Sequence, residues 1–179
     1  RELPSDGINE AGLFISSLGN MWTSSQHAYP EPDARPPINA FQLIQYQLDN
    51  FSTVDEVIAS YQSLRIAKPA KNSLQQLLAT HFLVGDSRGN CASIEFIGGE
   101  MVCHVGQSMP VKVLSNSPYD LSVAVLGLFQ GFGGFFPIPH PESDRLSLIR
   151  FAIAADMVQK YGSQGSVPAV DYAFQILQD

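Results

Sequence analysis

The stretch from His81 to Val105 restricts the possible folds more than any other part of the chain. Two β-rich runs flank Asp86-Ser87-Arg88-Gly89-Asn90, a loop with turn formers at every needed position, and Gly98-Gly99 permits a second reversal before Met101 to Val105. Such a run predicts a meander of at least three antiparallel strands. Val111 to Leu114 reads as a fourth strand, ended by Asn116-Ser117-Pro118. Strands joined by short turns, with no helix between them, argue against the βαβ alternation of a parallel sheet and favour α+β layers, with helices packed on antiparallel sheet.

The rest of the chain supplies those helices. Gly12 to Leu18 reads as one more strand, starting after an Asp6-Gly7 turn and stopping at Gly19. Met21 to Pro37, rich in proline and polar residues, is a long connection of the kind that carries binding loops. From Ile38 to Phe51 the apolar residues Ile38, Phe41, Leu43, Ile44, Leu48 and Phe51 recur at helical spacing. Thr53-Val54-Asp55-Glu56 is a capping box that opens a second helix through Val57, Ile58, Tyr61 and Leu64. Tyr119 to Phe129 predicts a short helix, Gln130 to Pro141 a loop, Ser143 to Tyr161 a long helix capped by Ser143 and stopped by Gly162, and Pro168 to Leu177 a last one.

Composition removes whole classes of function. The 179 residues are enough for one domain, 1–179, with one core, and 45% hydrophobic against 15% charged residues predicts that it folds. Ten basic against seventeen acidic side chains give a net charge of -7, which leaves no broad cationic surface for nucleic acid. The longest apolar run, Leu121 to Leu128, is broken by Ser122 and Gly127 and falls far short of the ~20 residues of a membrane span. Arg1 to Ser5 shows no signal-peptide pattern. Cys91 and Cys103 flank a hairpin, so they are either two free thiols or a disulfide.

Candidate chemistry is sparse. His27, His81, His104 and His140 are scattered and match no metal spacing, and no cofactor signature is present. Gly131-Phe132-Gly133-Gly134 lies between helices, not after a strand, so it reads as tight bends under aromatic rings and not as a phosphate loop. No nucleophile elbow occurs in Gly12 to Gly19. Asn116, after a strand and before Pro118, either holds a turn through its own backbone or donates a hydrogen bond to a developing oxyanion. Arg145 sits near a helix start, against the helix dipole; it either turns inward to orient a carboxylate or support a nucleophile, or pairs with Asp144 or Glu142.

Four ordered segments resemble the choloylglycine hydrolase and penicillin V acylase family. Asp6-Gly7-Ile8-Asn9-Glu10-Ala11-Gly12-Leu13 is similar to its DGMNEKGL block, and Leu48 to Val57 to its L-x-N-F-x-T-V-E-E-V string. Thr80 to Asn90 with Ser93-Ile94-Glu95 resembles its L-H-x-x-x-x-D-x-x-G hairpin with the following glutamate. Val113 to Asp120 resembles its V-L-T-N-S-P-x-[FY]-D, and a looser match runs through the helix from Arg145 to Met157. The resemblance implies the four-layer αββα sandwich of the Ntn hydrolases, incomplete here at both ends. It also implies hydrolysis of linear amide (C–N) bonds by an N-terminal cysteine through an acyl-enzyme, on penicillin V, N-acyl homoserine lactone or conjugated bile salt substrates.

By position, Asn116 takes the place of the family asparagine that binds the substrate carbonyl and its oxyanion. Arg145 takes that of the active-site arginine in an S-R-F-x-R string, although Arg145 and Arg150 are separated by four residues instead of two. If Arg150 anchors the match, Ser147 stands at the arginine position. The second oxyanion position falls on Gly19, where bile salt hydrolases have asparagine; its backbone N–H or the neighbouring Asn20 is the substitute. The resemblance implies a nucleophilic cysteine upstream of the block that begins at Asp6; Cys91 and Cys103 are internal and lack an α-amino group of their own, so neither replaces it. The resemblance further implies a small-molecule amide as partner, neither metal nor cofactor, and a homo-oligomer, a tetramer by analogy. The alternative is a catalytically inactive relative or subunit that binds a hydrophobic acyl or sterol ligand through Met21, Trp22, Phe132, Phe135 and Phe136.

Overall fold

The computed structural model describes residues 4–20, 30–67, 80–139, 146–161 and 167–178. They fall into two compact units, Arg1–Pro110 and Val111–Asp179. The first unit holds β1 (Asp6–Ile8), β2 (Phe14–Gly19), β3 (Pro37–Ile38), α1 (Ala40–Asn50), α2 (Val54–Ser60), β4 (Arg65–Ile66), β5 (Thr80–Gly85), β6 (Cys91–Ile97) and β7 (Glu100–Val105). Five of the strands form one antiparallel sheet in the order β1-β2-β5-β6-β7. Successive side chains point to opposite faces, so Ile15, Phe82, Val84, Ala92, Ile94 and Phe96 share one face. They pack there against Leu43 and Ile44 of α1 and Val54 and Val57 of α2. Burying each of the larger side chains, Ala92 excepted, contributes about 1.5–3 kcal/mol, which is why the helices adhere to this face.

Local chemistry explains the joints. Asp6 and Gly7 lie within β1 and do not form a turn; Asp6 accepts a hydrogen bond from Ser16 across the ladder. The reversal falls at Asn9 to Gly12, where the Asn9 side chain accepts from the N–H groups of Ala11 and Leu13 at 3.1 and 3.0 Å and Gly12 takes a φ of +82°. The Asn9 amide also donates to the Leu48 and Phe51 carbonyls at 2.9 and 2.7 Å. It thereby satisfies acceptors at the end of α1 that have no partner inside the helix. The α2 capping box is complete, with Thr53 accepting from the Glu56 N–H and Glu56 accepting from the Thr53 N–H. Asp86, at the head of the β5–β6 hairpin loop, accepts from the N–H groups of Arg88, Asn90 and Val54 and from the Asn90 side chain. One carboxylate therefore closes the hairpin and caps α2.

Cys91 and Cys103 are both free. Cys103 faces Ile94 across the ladder, and Cys91 stands an odd number of positions from Ile94 on the same strand. Alternation sends their side chains to opposite faces of the sheet.

The second unit holds α3 (Tyr119–Leu126), α4 (Ser147–Lys160) and α5 (Ala169–Gln178). The strand expected at Val111 to Leu114 is not a ladder strand among the described residues. Instead, the Tyr119 hydroxyl donates to the Val111 carbonyl at 2.7 Å and accepts from its N–H at 3.4 Å. A side chain here satisfies backbone groups that a neighbouring strand would otherwise bind. Tyr119 packs edge-on to Phe151, their centroids 5.9 Å apart, and both are fully buried where α3 meets α4. Helix α3 stops at Leu126, three residues short of the expected end, because residues 127–129 enter a turn. Ser143 and Gly162, the expected cap and stop of the long helix, lie outside the described residues. No helix among those residues is long and apolar enough to cross a membrane.

Candidate active site

Two groups of polar side chains stand out, one in each unit. In the second unit, residues 111–118 lead to Pro118, which stands just before α3. Ser115 and Ser117 are buried on either side of the half-buried Asn116. Both meet one hydroxyl on α4: Ser147 Oγ accepts from Ser117 at 2.8 Å and lies 3.0 Å from the Ser115 hydroxyl. One turn along the same face of α4, Arg150 Nη2 donates to Asn116 Oδ1 at 2.7 Å. A guanidinium only donates, so this contact settles which end of the carboxamide faces it and makes Nδ2 the donor side. A cation at the oxygen polarises the amide and strengthens its N–H groups as donors, an effect that solvent screens in part because Arg150 is exposed. That is the character needed to meet charge developing on a carbonyl oxygen.

Arg145, the residue expected as the active-site arginine, lies outside the described residues, as do Met21 and Trp22. The guanidinium brought to Asn116 is that of Arg150. A signal for it was present: Arg150-Phe151 reproduces the R-F step of the S-R-F-x-R string. Taken in this way as the string's first arginine and not its last, Arg150 puts Ile153 at the second basic position. Ser147 then lies outside the string, and its contact with both neighbours of Asn116 left no mark in sequence.

Beyond α3, Phe132 and Phe135 lie on a tight loop. The Gln130 N–H donates to Phe136 O at 2.7 Å, the Phe136 N–H to Leu128 O at 3.1 Å and the Gly134 N–H to Phe129 O at 3.1 Å. Gly131 and Gly133 have φ of +88° and +105°, and a Cβ on Gly134 would lie 2.0 Å from the Leu128 backbone. Phe132 is half-buried, whereas Phe135 is 75% exposed with its ring 4.3 Å from that of Phe136. The loop thus presents aromatic surface that the second unit does not bury.

In the first unit, Gly19 ends β2 opposite Thr80, and Asn20 follows it, almost fully buried. Asn20 Nδ2 donates to Glu95 Oε1 at 3.2 Å, and His81 Nδ1 lies 2.9 Å from the same oxygen. Asn20 Oδ1 is buried without a hydrogen-bond partner among the described residues. The two cysteines offer poor nucleophiles: Cys91 is buried, and burial holds the Cys103 thiol above its ordinary pKa, which disfavours the thiolate.

Known proteins give the chain a family. A penicillin V acylase of Pectobacterium atrosepticum is 32% identical to the chain, over 97% of the chain and 46% of its own length. The solved penicillin V acylase of Agrobacterium tumefaciens matches with a TM-score of 0.74 at 28% identity, over 97% of this chain and 51% of that one. A solved variant of the conjugated bile acid hydrolase of Clostridium perfringens matches at 0.75 and 20% identity, over 97% and 58%, a likeness that speaks to the fold alone. These are Ntn-hydrolase folds, mixed α and β with antiparallel sheet, and the chain spans about half the length of the curated relative it matches. Residues 2–158 match the model of the linear amide C–N hydrolases, and the chain belongs to the choloylglycine hydrolase family.

Proposed function

We propose that the protein hydrolyses a linear amide of the penicillin V type, and that Asn116, oriented by Arg150, stabilises the oxyanion of the tetrahedral intermediate. The 2.7 Å contact between Arg150 Nη2 and Asn116 Oδ1 carries this reading. It gives the carboxamide one defined donor side, and oxyanion stabilisation works only when donors are aimed before charge appears. The identity to penicillin V acylase favours that acyl class, and glycine in place of asparagine at residue 19 separates the chain from the bile salt hydrolase pattern. Phe132 and Phe135 supply an aromatic wall for an aryl or alkyl acyl group.

On this reading the attacking sulfur belongs to an N-terminal cysteine carried by polypeptide other than residues 1–179. Its own amine takes the thiol proton, the thiolate adds to the amide carbon, the amine leaves with a proton, and water then releases the acid. The test is release of the primary amine from penicillin V by the full-length protein, run beside glycocholate and a long-chain N-acyl homoserine lactone. Penicillin V should be the best of the three, and no amine release from any of them sinks the proposal. Asn116→Ala should lower turnover by roughly a hundredfold, the scale of losing one oxyanion donor. A folded Asn116→Ala protein with wild-type turnover removes Asn116 from the mechanism.

A further inference from the structure

We propose that Ser147 is a positioning residue for Asn116: its hydroxyl clamps the residues on both sides of that asparagine to the first turn of α4. The inference rests on the oxyanion role proposed for Asn116 and extends it to a group outside the family's string.

A serine at the N-cap spends its hydroxyl on the exposed N–H groups, whereas one at the first helical position can bind elsewhere. At α4 the cap residue is Leu146, with no side-chain cap bond, and the Ser147 hydroxyl turns instead to Ser115 and Ser117. All three serines are at most 8% exposed. Away from water, hydroxyls are costly unless bonded to one another, so the three hold each other in place.

The bonded pair stands at the positions directly before and after Asn116. Pinning both neighbours fixes the backbone that carries the carboxamide. Ser147 and Arg150 lie one turn apart on a single helix, so the register of α4 against residues 115–117 sets the Asn116 backbone through Ser147 and its side chain through Arg150. With the serine clamp removed, Arg150 would still bind Oδ1, but the amide would swing with its backbone. A shift of about 1 Å at such a group is enough to cost catalysis heavily.

The experiment compares Ser147→Ala, Asn116→Ala and the double variant in the full-length protein. Ser147→Ala should lower kcat about tenfold with KM within about twofold, as expected when only transition-state contacts are lost. In the Asn116→Ala background the same change should cost nothing further, because Ser147 acts through Asn116. An equal loss in both backgrounds, or a folded Ser147→Ala protein with wild-type kcat, overturns the proposal. If Ser147→Ala does not fold, Ser117→Ala removes the same clamp from the other side and is judged by the same two outcomes.

A spectral readout separates this inference from the functional reading. The side-chain amide signal of Asn116, identified by its loss in Asn116→Ala, should move in Ser147→Ala while the other Asn and Gln side-chain signals stay. If the wild-type protein hydrolyses no amide, the functional reading fails, yet an unmoved Asn116 signal would still reject positioning and a moved one would support it.

Discussion

Asp86 illustrates how single residues hold this chain. Burial alone would raise its pKa, but hydrogen bonds from the Asn90 side chain and from the N–H groups of Val54, Asn90 and Arg88 outweigh that and leave it below the ordinary carboxylate value. A folded-state pKa below the unfolded one means stability that is complete above the unfolded value of about 3.9 and is lost as pH falls through the folded one. Asp86→Ala should therefore destabilise the protein by about 2 kcal/mol at neutral pH, combining a lost helix cap with buried donors left unsatisfied. The deficit should shrink at about pH 3, below the unfolded value, because the unfolded carboxylate then takes up a proton and the charge-dependent part of the stability is being lost. Chemical denaturation at both pH values checks this, and an equal deficit at both would mean that the charge is irrelevant. Asn9, Thr53, Glu56 and Asp86 all belong to the segments that carry the family resemblance, and each holds a turn, a cap or a helix end. Much of the recognisable pattern is thus frame, and the proposed chemistry falls to Asn116 of the fourth segment.

At the scale of elements, the loop after α3 is the most exacting piece. Its close approach at Gly134 leaves no room for a Cβ, since the obstacle is Leu128 backbone and not a flexible side-chain end. Gly134→Ala should cost about 1–3 kcal/mol. It should also raise KM for an aryl-acyl amide by displacing Phe135; a thermal melt and a substrate titration read the two effects, and unchanged KM would separate the loop from acyl binding. Helix α2 offers a simpler case. Thr53→Ala removes one half of a reciprocal cap and should destabilise the protein by about 1 kcal/mol with no effect on turnover, measured by denaturant unfolding beside an activity assay. A capping box is read easily from sequence because both partners lie within one helical turn. The missing strand at residues 111–114 was not so readable: its β-rich composition predicts a strand, but a ladder needs a neighbour, and the Tyr119 hydroxyl took the Val111 backbone groups instead.

Across the molecule, stability in the first unit should concentrate in the middle of the sheet. Strands β5 and β6 are hydrogen-bonded on both sides, and Phe82, Val84, Ala92, Ile94 and Phe96 along them are almost fully buried. Their amides should exchange with deuterium most slowly in that unit, and those of β1 at the sheet's end much sooner; equal rates would show that the sheet opens as a single body. The amino-acid sequence by itself determined the meander, helices α1 and α2, the α+β class and the family, because turn formers, 3.6-residue periodicity, caps and ordered motifs are all short-range signals. Tertiary structure alone decided that Asp6 and Gly7 pair as strand, that Arg150 reaches Asn116, and that Ser147 grips residues 115 and 117. Those pairings join positions some thirty residues apart in sequence, as Arg150 and Asn116 at a separation of 34 show, or depend on which neighbour wins a backbone group. Neither is encoded in any local spacing, because distance along the chain sets no distance in space until the elements have packed.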